Sequence, residues 1–173
     1  LLVDKGELSW SDRITDHVPE FRLADAYVTR EFTLADALSH RGGYSDNYFY
    51  ENVADLDRDE FFRRLSHSEA VQAFRTGFEY NNALFGLAAD VLENQTGQPW
   101  ADFVSENILT PLGMTATVAD PADLDGIENR ALPHILTENG ILELPQSSWH
   151  LTDAIPSTGV IVSSANDMAK WCS

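Results

Sequence analysis

One short stretch holds side chains that could move protons at a defined place. It is Gly77-Phe78-Glu79-Tyr80-Asn81-Asn82, just ahead of the strongest helical pattern in the chain. A tyrosine entering a helix N-terminus lies near unsatisfied backbone N–H groups and the positive end of the helix dipole. Those surroundings favour the phenolate, the form a general base needs. Asn82, two positions on, could send its carboxamide into the same cleft if Tyr80-Asn81-Asn82 is a turn. The residues alone leave a second reading open, a core tyrosine followed by asparagine as an ordinary N-cap.

Other chemistries find little footing. No two of His17, His40, His67, His134 and His150 lie three to five residues apart, and neither HExxH nor a calcium-loop pattern occurs. No metal and no cofactor is therefore expected. Glycine-rich phosphate loops are absent, and Gly42-Gly43 is expected to serve loop geometry. There is no G-x-S-x-G elbow. The single cysteine, Cys172, excludes an internal disulfide and is expected to be a buried filler. A Ser-x-x-Lys nucleophile needs lysine one turn after serine, but Lys5 has Leu2 at that position and Lys170 has Asp167.

The elements that must position Tyr80 and Asn82 follow from periodicity and caps. Leu84, Leu87, Ala88, Val91 and Leu92 recur at three and four residues, predicting a helix from Asn82 to Gln95 that Gly97 stops. Thr33 with Asp36 predicts a capped helix through His40, and Asp57-Arg58-Asp59-Glu60 opens another whose buried side is Phe61, Phe62 and Leu65. A short helix is expected over Ser68 to Phe74. Pro99 suits the first turn of a helix with Trp100, Phe103, Val104 and Ile108 on one face, ended by Pro111-Leu112-Gly113. Asp4-Lys5-Gly6-Glu7 reads as a turn. Ile135 to Thr137 and Ile141 to Leu144 flank Asn139-Gly140, the pair favoured in a type I′ hairpin turn. Ser164 with Asp167 caps a last helix.

Composition narrows the class. Across 173 residues, 28 acids against 11 bases leave a net charge of −17, and only Lys5 and Lys170 are lysines. Such a surface repels phosphate backbones, so no nucleic-acid partner is expected. No apolar run approaches the length needed to span a bilayer. The absence of repeats and linkers predicts a single domain over residues 1–173. Leu1-Leu2-Val3 reads as the tail of an apolar helix, and the expectation is an internal piece of a longer protein. Localisation stays open.

Family resemblance adds to this. Phe74 to Asn82, continuing through Leu-Phe-Gly-Leu-Ala-Ala-Asp-Val-Leu-Glu-Asn-Gln-Thr-Gly97, resembles the beta-lactamase-related serine hydrolases, whose second motif, Tyr-x-Asn, matches Tyr80 and Asn82. These hydrolases include class C beta-lactamases, D-alanyl-D-alanine carboxypeptidases, and related esterases and D-amino-acid peptidases. Ile108-Leu-Thr-Pro-Leu-Gly-Met114 is similar to the family's I-x-x-P-L-G-M. Leu34-Ala-Asp-Ala-Leu-Ser-His-Arg-Gly-Gly-Tyr44 resembles L-L-x-H-x-S-G-L, and Ile155 to Met168 resembles P-A-G-G-L-x-S-T-A-x-D-M. Leu1 to Leu8 resembles the segment that follows the family's nucleophile helix.

The resemblance implies acyl transfer through a serine, with Tyr80 shuttling protons and Asn82 binding substrate. It also implies that the Ser-x-x-Lys helix lies before the segment matching Leu1 and the Lys/His-Thr/Ser-Gly strand beyond that matching Ser173. Arg75-Thr76-Gly77 imitates that third motif in the wrong place, and Ser157-Thr158-Gly159 is expected to be loop. The implied fold is mainly α with one small β-hairpin, the helical subdomain of the serine beta-lactamase and penicillin-binding-protein-like fold without most of its main sheet. The full-length protein would take a small-molecule or peptide acyl substrate, a beta-lactam, D-peptide or ester. The chain alone would be inactive and, with its sheet-facing surface bare, prone to self-association. The alternative is a non-catalytic beta-lactamase-like binding or scaffold module.

Overall fold

The structure, a computed structural model, describes residues 1–45, 58–144 and 157–173. Asp57, His150 and the Ile155-Pro156 pair, each singled out above, lie outside the described residues. Three short helices come first: α1 (Ile14–His17), α2 (Ala26–Glu31) and α3 (Leu34–Leu38). The sequence reading missed α1 and α2, which are too short to show a helical period. Asp25 caps α2 by accepting from the Tyr27 and Val28 N–H groups. The expected capping box at α3 is present, with Thr33 and Asp36 each accepting the other's backbone N–H.

Helix α4 (Arg58–Leu65) buries Phe61, Phe62 and Leu65 as expected. Ser68 to Phe74 is not helical. The Val71 and Gln72 N–H groups both donate to the Gly43 carbonyl (2.8 and 3.2 Å), which takes them away from an intrahelical ladder. Helix α5 (Asn82–Thr96) is the backbone of the molecule and runs one residue past the expected end. Gly97 stops it in the left-handed region at φ 70°, returning its N–H to the Glu93 carbonyl (2.8 Å).

The main core forms where α1 and α3 pack on α5. Ile14, Val18, Phe21, Phe32, Phe61, Leu87 and Val91 are fully or almost fully buried there. Each such side chain contributes about 1.5–3 kcal/mol by leaving water. Asn94 of α5 also donates to the His17 carbonyl at the end of α1 (2.8 Å).

A second, smaller core lies beyond. Helix α6 (Trp100–Val104) has Pro99 at its N-cap, one position earlier than expected, and meets α5 through the Trp100 N–H and the Glu93 carboxylate (2.8 Å). The expected continuous helix to Leu109 instead widens into a π-turn over Ser105–Leu109. Val104, Leu109, Met114 and Ala119 form the buried cluster, with Trp100 and Ile108 against it.

A 3₁₀ turn (Pro121–Leu124) leads to the antiparallel hairpin of β1 (His134–Thr137) and β2 (Gly140–Glu143). Thr137 pairs with Gly140, so the loop residues are Glu138 and Asn139, neither with positive φ. The expected type I′ turn at Asn139-Gly140 is therefore corrected: the left-handed residue is Gly140, inside the ladder.

Helix α7 (Ala165–Trp171) begins at Ser164, whose hydroxyl accepts the Asp167 N–H as expected. Asp167 is buried and accepts from the Ala116 N–H (2.7 Å), the Thr117 hydroxyl (2.9 Å) and Lys170 (2.7 Å). Val118 and Val162 exchange two backbone hydrogen bonds beside it. Cys172 is exposed at the end of α7, not buried as expected: the buried position of that helix is Asp167, and Cys172, five residues on, lies about 140° away around the helix axis. The described residues are thus mainly helical with one small hairpin.

Candidate active site

The N-terminal end of α5 carries Tyr80 and Asn82. Asn81, between them, is the N-cap: its Oδ1 accepts the Leu84 N–H (2.8 Å), and its Nδ2 donates to the Tyr44 and Ser45 carbonyls (3.0 and 3.2 Å). Asn81 is 3% exposed. The sequence placed an asparagine cap here as one possibility but could not say which asparagine. The cap at Asn81 makes Asn82 the first helical residue and half-buried, rather than part of a turn.

Tyr80 lies just outside the helix and is 53% exposed, so it is not a core tyrosine. Its ring packs against His40 with centroids 4.6 Å apart. Phe78, 67% exposed, meets the same imidazole edge-on at 5.3 Å, and Phe85 stacks on it at 5.3 Å. Tyr80, Phe78 and Phe85 thus form an open aromatic cluster around His40, a histidine 40 positions before the tyrosine.

The loop that presents Tyr80 is tied down at several points. Arg75 forms a two-pronged ion pair with Asp36 of α3 (2.9 and 2.7 Å) and donates to the Glu31 carbonyl (2.9 Å). It does so from a left-handed backbone, φ 63°, costly for a side chain of this size and offset here by those contacts. Burial pushes the Asp36 carboxyl up, but hydrogen bonds from Arg75 and Thr33 outweigh it, and the group titrates below the ordinary aspartate range. Arg75-Thr76-Gly77 is thus an anchor. Gly43 approaches the same loop so closely that a Cβ there would collide with the Gln72 carbonyl oxygen. Loop geometry accounts for this glycine, as the sequence suggested.

From the far side, Ser157-Thr158-Gly159 forms a bend, and the Thr158 hydroxyl donates to the Asn82 carbonyl (3.4 Å). The structure thus brings Thr158 to the end of α5, 76 residues away in sequence. Sequence reasoning missed His40, Phe78, Phe85 and Thr158 as neighbours of the candidate pair. Only the family's L-L-x-H-x-S-G-L block pointed at His40, and it gave no role. Among the described residues no group of three or more histidine, cysteine or acidic side chains converges on a metal-sized site, and no helix is long and apolar enough to cross a membrane.

Comparisons with known proteins bear on this arrangement. Penicillin-binding protein 4 of Amycolatopsis lactamdurans is 28% identical over 98% of this chain and 45% of its own length. Esterase EstB of Burkholderia gladioli is 36% identical over 65% of this chain and 32% of its own. The chain thus spans less than half the length of these relatives. Among solved structures, a D-stereospecific amidohydrolase from Streptomyces superposes with a TM-score of 0.75 at 22% identity, covering 99% of this chain and 54% of that one. The fold is accordingly a helical part of the beta-lactamase and penicillin-binding-protein fold. A family model described as Beta-lactamase matches residues 1–173 from end to end, and the chain belongs to that family of serine hydrolases.

Proposed function

We propose that these residues form the tyrosine-and-asparagine half of an acyl-transfer cleft in a serine hydrolase. In this reading a serine hydroxyl attacks the carbonyl carbon of an ester, amide or beta-lactam, and a water later hydrolyses the resulting acyl-serine. The Tyr80 oxygen takes the proton from the serine hydroxyl and passes it to the leaving group. As the family resemblance implies, the Asn82 carboxamide hydrogen-bonds the bound substrate, here from the first turn of α5 rather than from a turn ahead of it. No serine in this sequence stands three residues before a lysine, so the nucleophile belongs to another segment of the whole protein. These 173 residues alone are then catalytically silent.

The observation that carries the reading is the placing of Tyr80, half-exposed at the mouth of α5 on a loop anchored by Arg75 and Asp36. In the whole protein, Tyr80→Phe should slow acylation by a fluorophosphonate or penicillin probe by about 10²–10⁴-fold, the usual worth of a positioned acid–base group. A whole protein with an accessible cleft that takes up neither probe would instead support a binding or scaffold module. We also propose that the 173-residue chain self-associates through its exposed hairpin.

A further inference from the structure

We propose that His40 is the positioning residue for Tyr80, an inference that rests on the acyl-transfer reading above. Three contacts place it there. The His40 carbonyl accepts the Glu79 N–H (2.8 Å), and the His40 Nδ1 accepts the Asn81 N–H (3.1 Å). The two residues flanking Tyr80 are therefore both bonded to one residue. Its imidazole then lies against the phenol ring itself, 4.6 Å between centroids.

Backbone conformation makes this possible. His40 sits in the left-handed region at φ 55°, just past the end of α3, so its carbonyl and its ring both turn toward the 79–81 segment. Histidine and asparagine enter that region more readily than most side chains. Because Nδ1 accepts a hydrogen bond, the neutral ring carries its proton on Nε2. Asn81 is buried, so its N–H has no ready exchange partner in water if Nδ1 is removed. The segment would then shift to find another acceptor and carry the phenol with it. A displacement of about 1 Å can cost about 100-fold in rate.

The test compares His40→Gly with His40→Asn in the whole protein. Both residues accept a left-handed backbone and both remove the ring. Asparagine alone keeps an acceptor oxygen where Nδ1 stood. Reaction with a fluorophosphonate, in which the serine oxygen bonds phosphorus and fluoride leaves, yields a maximal rate and an apparent affinity separately. His40→Gly should lower the maximal rate about 100-fold with the affinity changed less than about threefold, while His40→Asn should stay within about threefold of the original protein in both.

A merely structural role would lower the fraction of labelled protein, not the rate per labelled site. Full-rate reaction of His40→Gly would overturn the proposal, as would an equal loss in His40→Asn. Should the glycine variant not fold, His40→Ala, which also lacks the acceptor, takes its place with the same expected loss and the same overturning result, while retained rate in His40→Asn separates positioning from direct proton transfer by the imidazole. If the original protein takes up no probe, the acyl-transfer reading itself fails, and this inference with it.

Discussion

The two cores are held together differently. Around α5, the first region folds back from both sides, so Phe21, Phe32, Leu87 and Val91 lie in a continuous apolar interior. Beyond Gly97 the buried cluster shrinks to Val104, Leu109, Met114 and Ala119. There a buried carboxylate, Asp167, joins the 113–118 turn to α7, helped by Lys170 reaching the Gly113 carbonyl. The hairpin that follows leaves Leu136 84% and Ile141 76% exposed, two cross-strand partners side by side in the open. Apolar residues are plentiful in both regions. What differs is whether the chain returns to cover them, and the candidate site is built on the region that covers its own.

The largest expected effect comes from breaking the first region. Leu87→Ala removes a fully buried side chain from the centre of α5 and should cost about 3–4 kcal/mol. That corresponds to a fall of about 10 °C in Tm, measurable by thermal unfolding. A fall of only a degree or two would mean that α5 is not the keystone of its core.

Next comes the polar anchor of the Tyr80 loop. Asp36→Asn keeps the shape but weakens the bonds to Arg75, at about 2 kcal/mol near neutral pH. The sign of the pH effect follows from the lowered pKa of Asp36. Its contribution is present above the unfolded value and disappears as pH falls through the folded value. The difference between original and variant should therefore narrow below about pH 4, as read from denaturant melts across the acid range. A difference independent of pH would place the cost elsewhere.

The smallest effect on stability sharpens the comparison from the other side. Leu136→Ser with Ile141→Ser should leave Tm within about 2 °C, since neither side chain is buried. The same pair should shift the 173-residue chain from self-associated toward monomer in light scattering. An unchanged mass distribution would remove the hairpin as the sticky element.

Sequence alone made the long and the capped elements legible. The periodicity of Leu84, Leu87 and Val91, the Gly97 stop, and the Thr33–Asp36 and Ser164–Asp167 pairs are local signals, and each marks a feature found in the structure. What stayed hidden was set by distant partners. The Val71 and Gln72 N–H groups went to Gly43 rather than into a helix, and His40 met Tyr80 across 40 residues of chain. The candidate site was proposed from the sequence as a pair of residue types. Its anchorage was not, because nothing near Arg75 in sequence announces Asp36, 39 residues earlier.

One side chain described above fixes its own identity by counting. Asn81 spends two donor hydrogens on neighbouring carbonyls and one lone-pair oxygen on the first turn of α5. Aspartate in its place would aim negative oxygen at two carbonyl oxygens, leucine would strip the buried Leu84 N–H and Tyr44 carbonyl of this amide, and glutamine would overshoot by a methylene. Any variant of this molecule that keeps the tyrosine where it is must solve that puzzle with the same letter, or rebuild the joint between two loops and a helix from scratch.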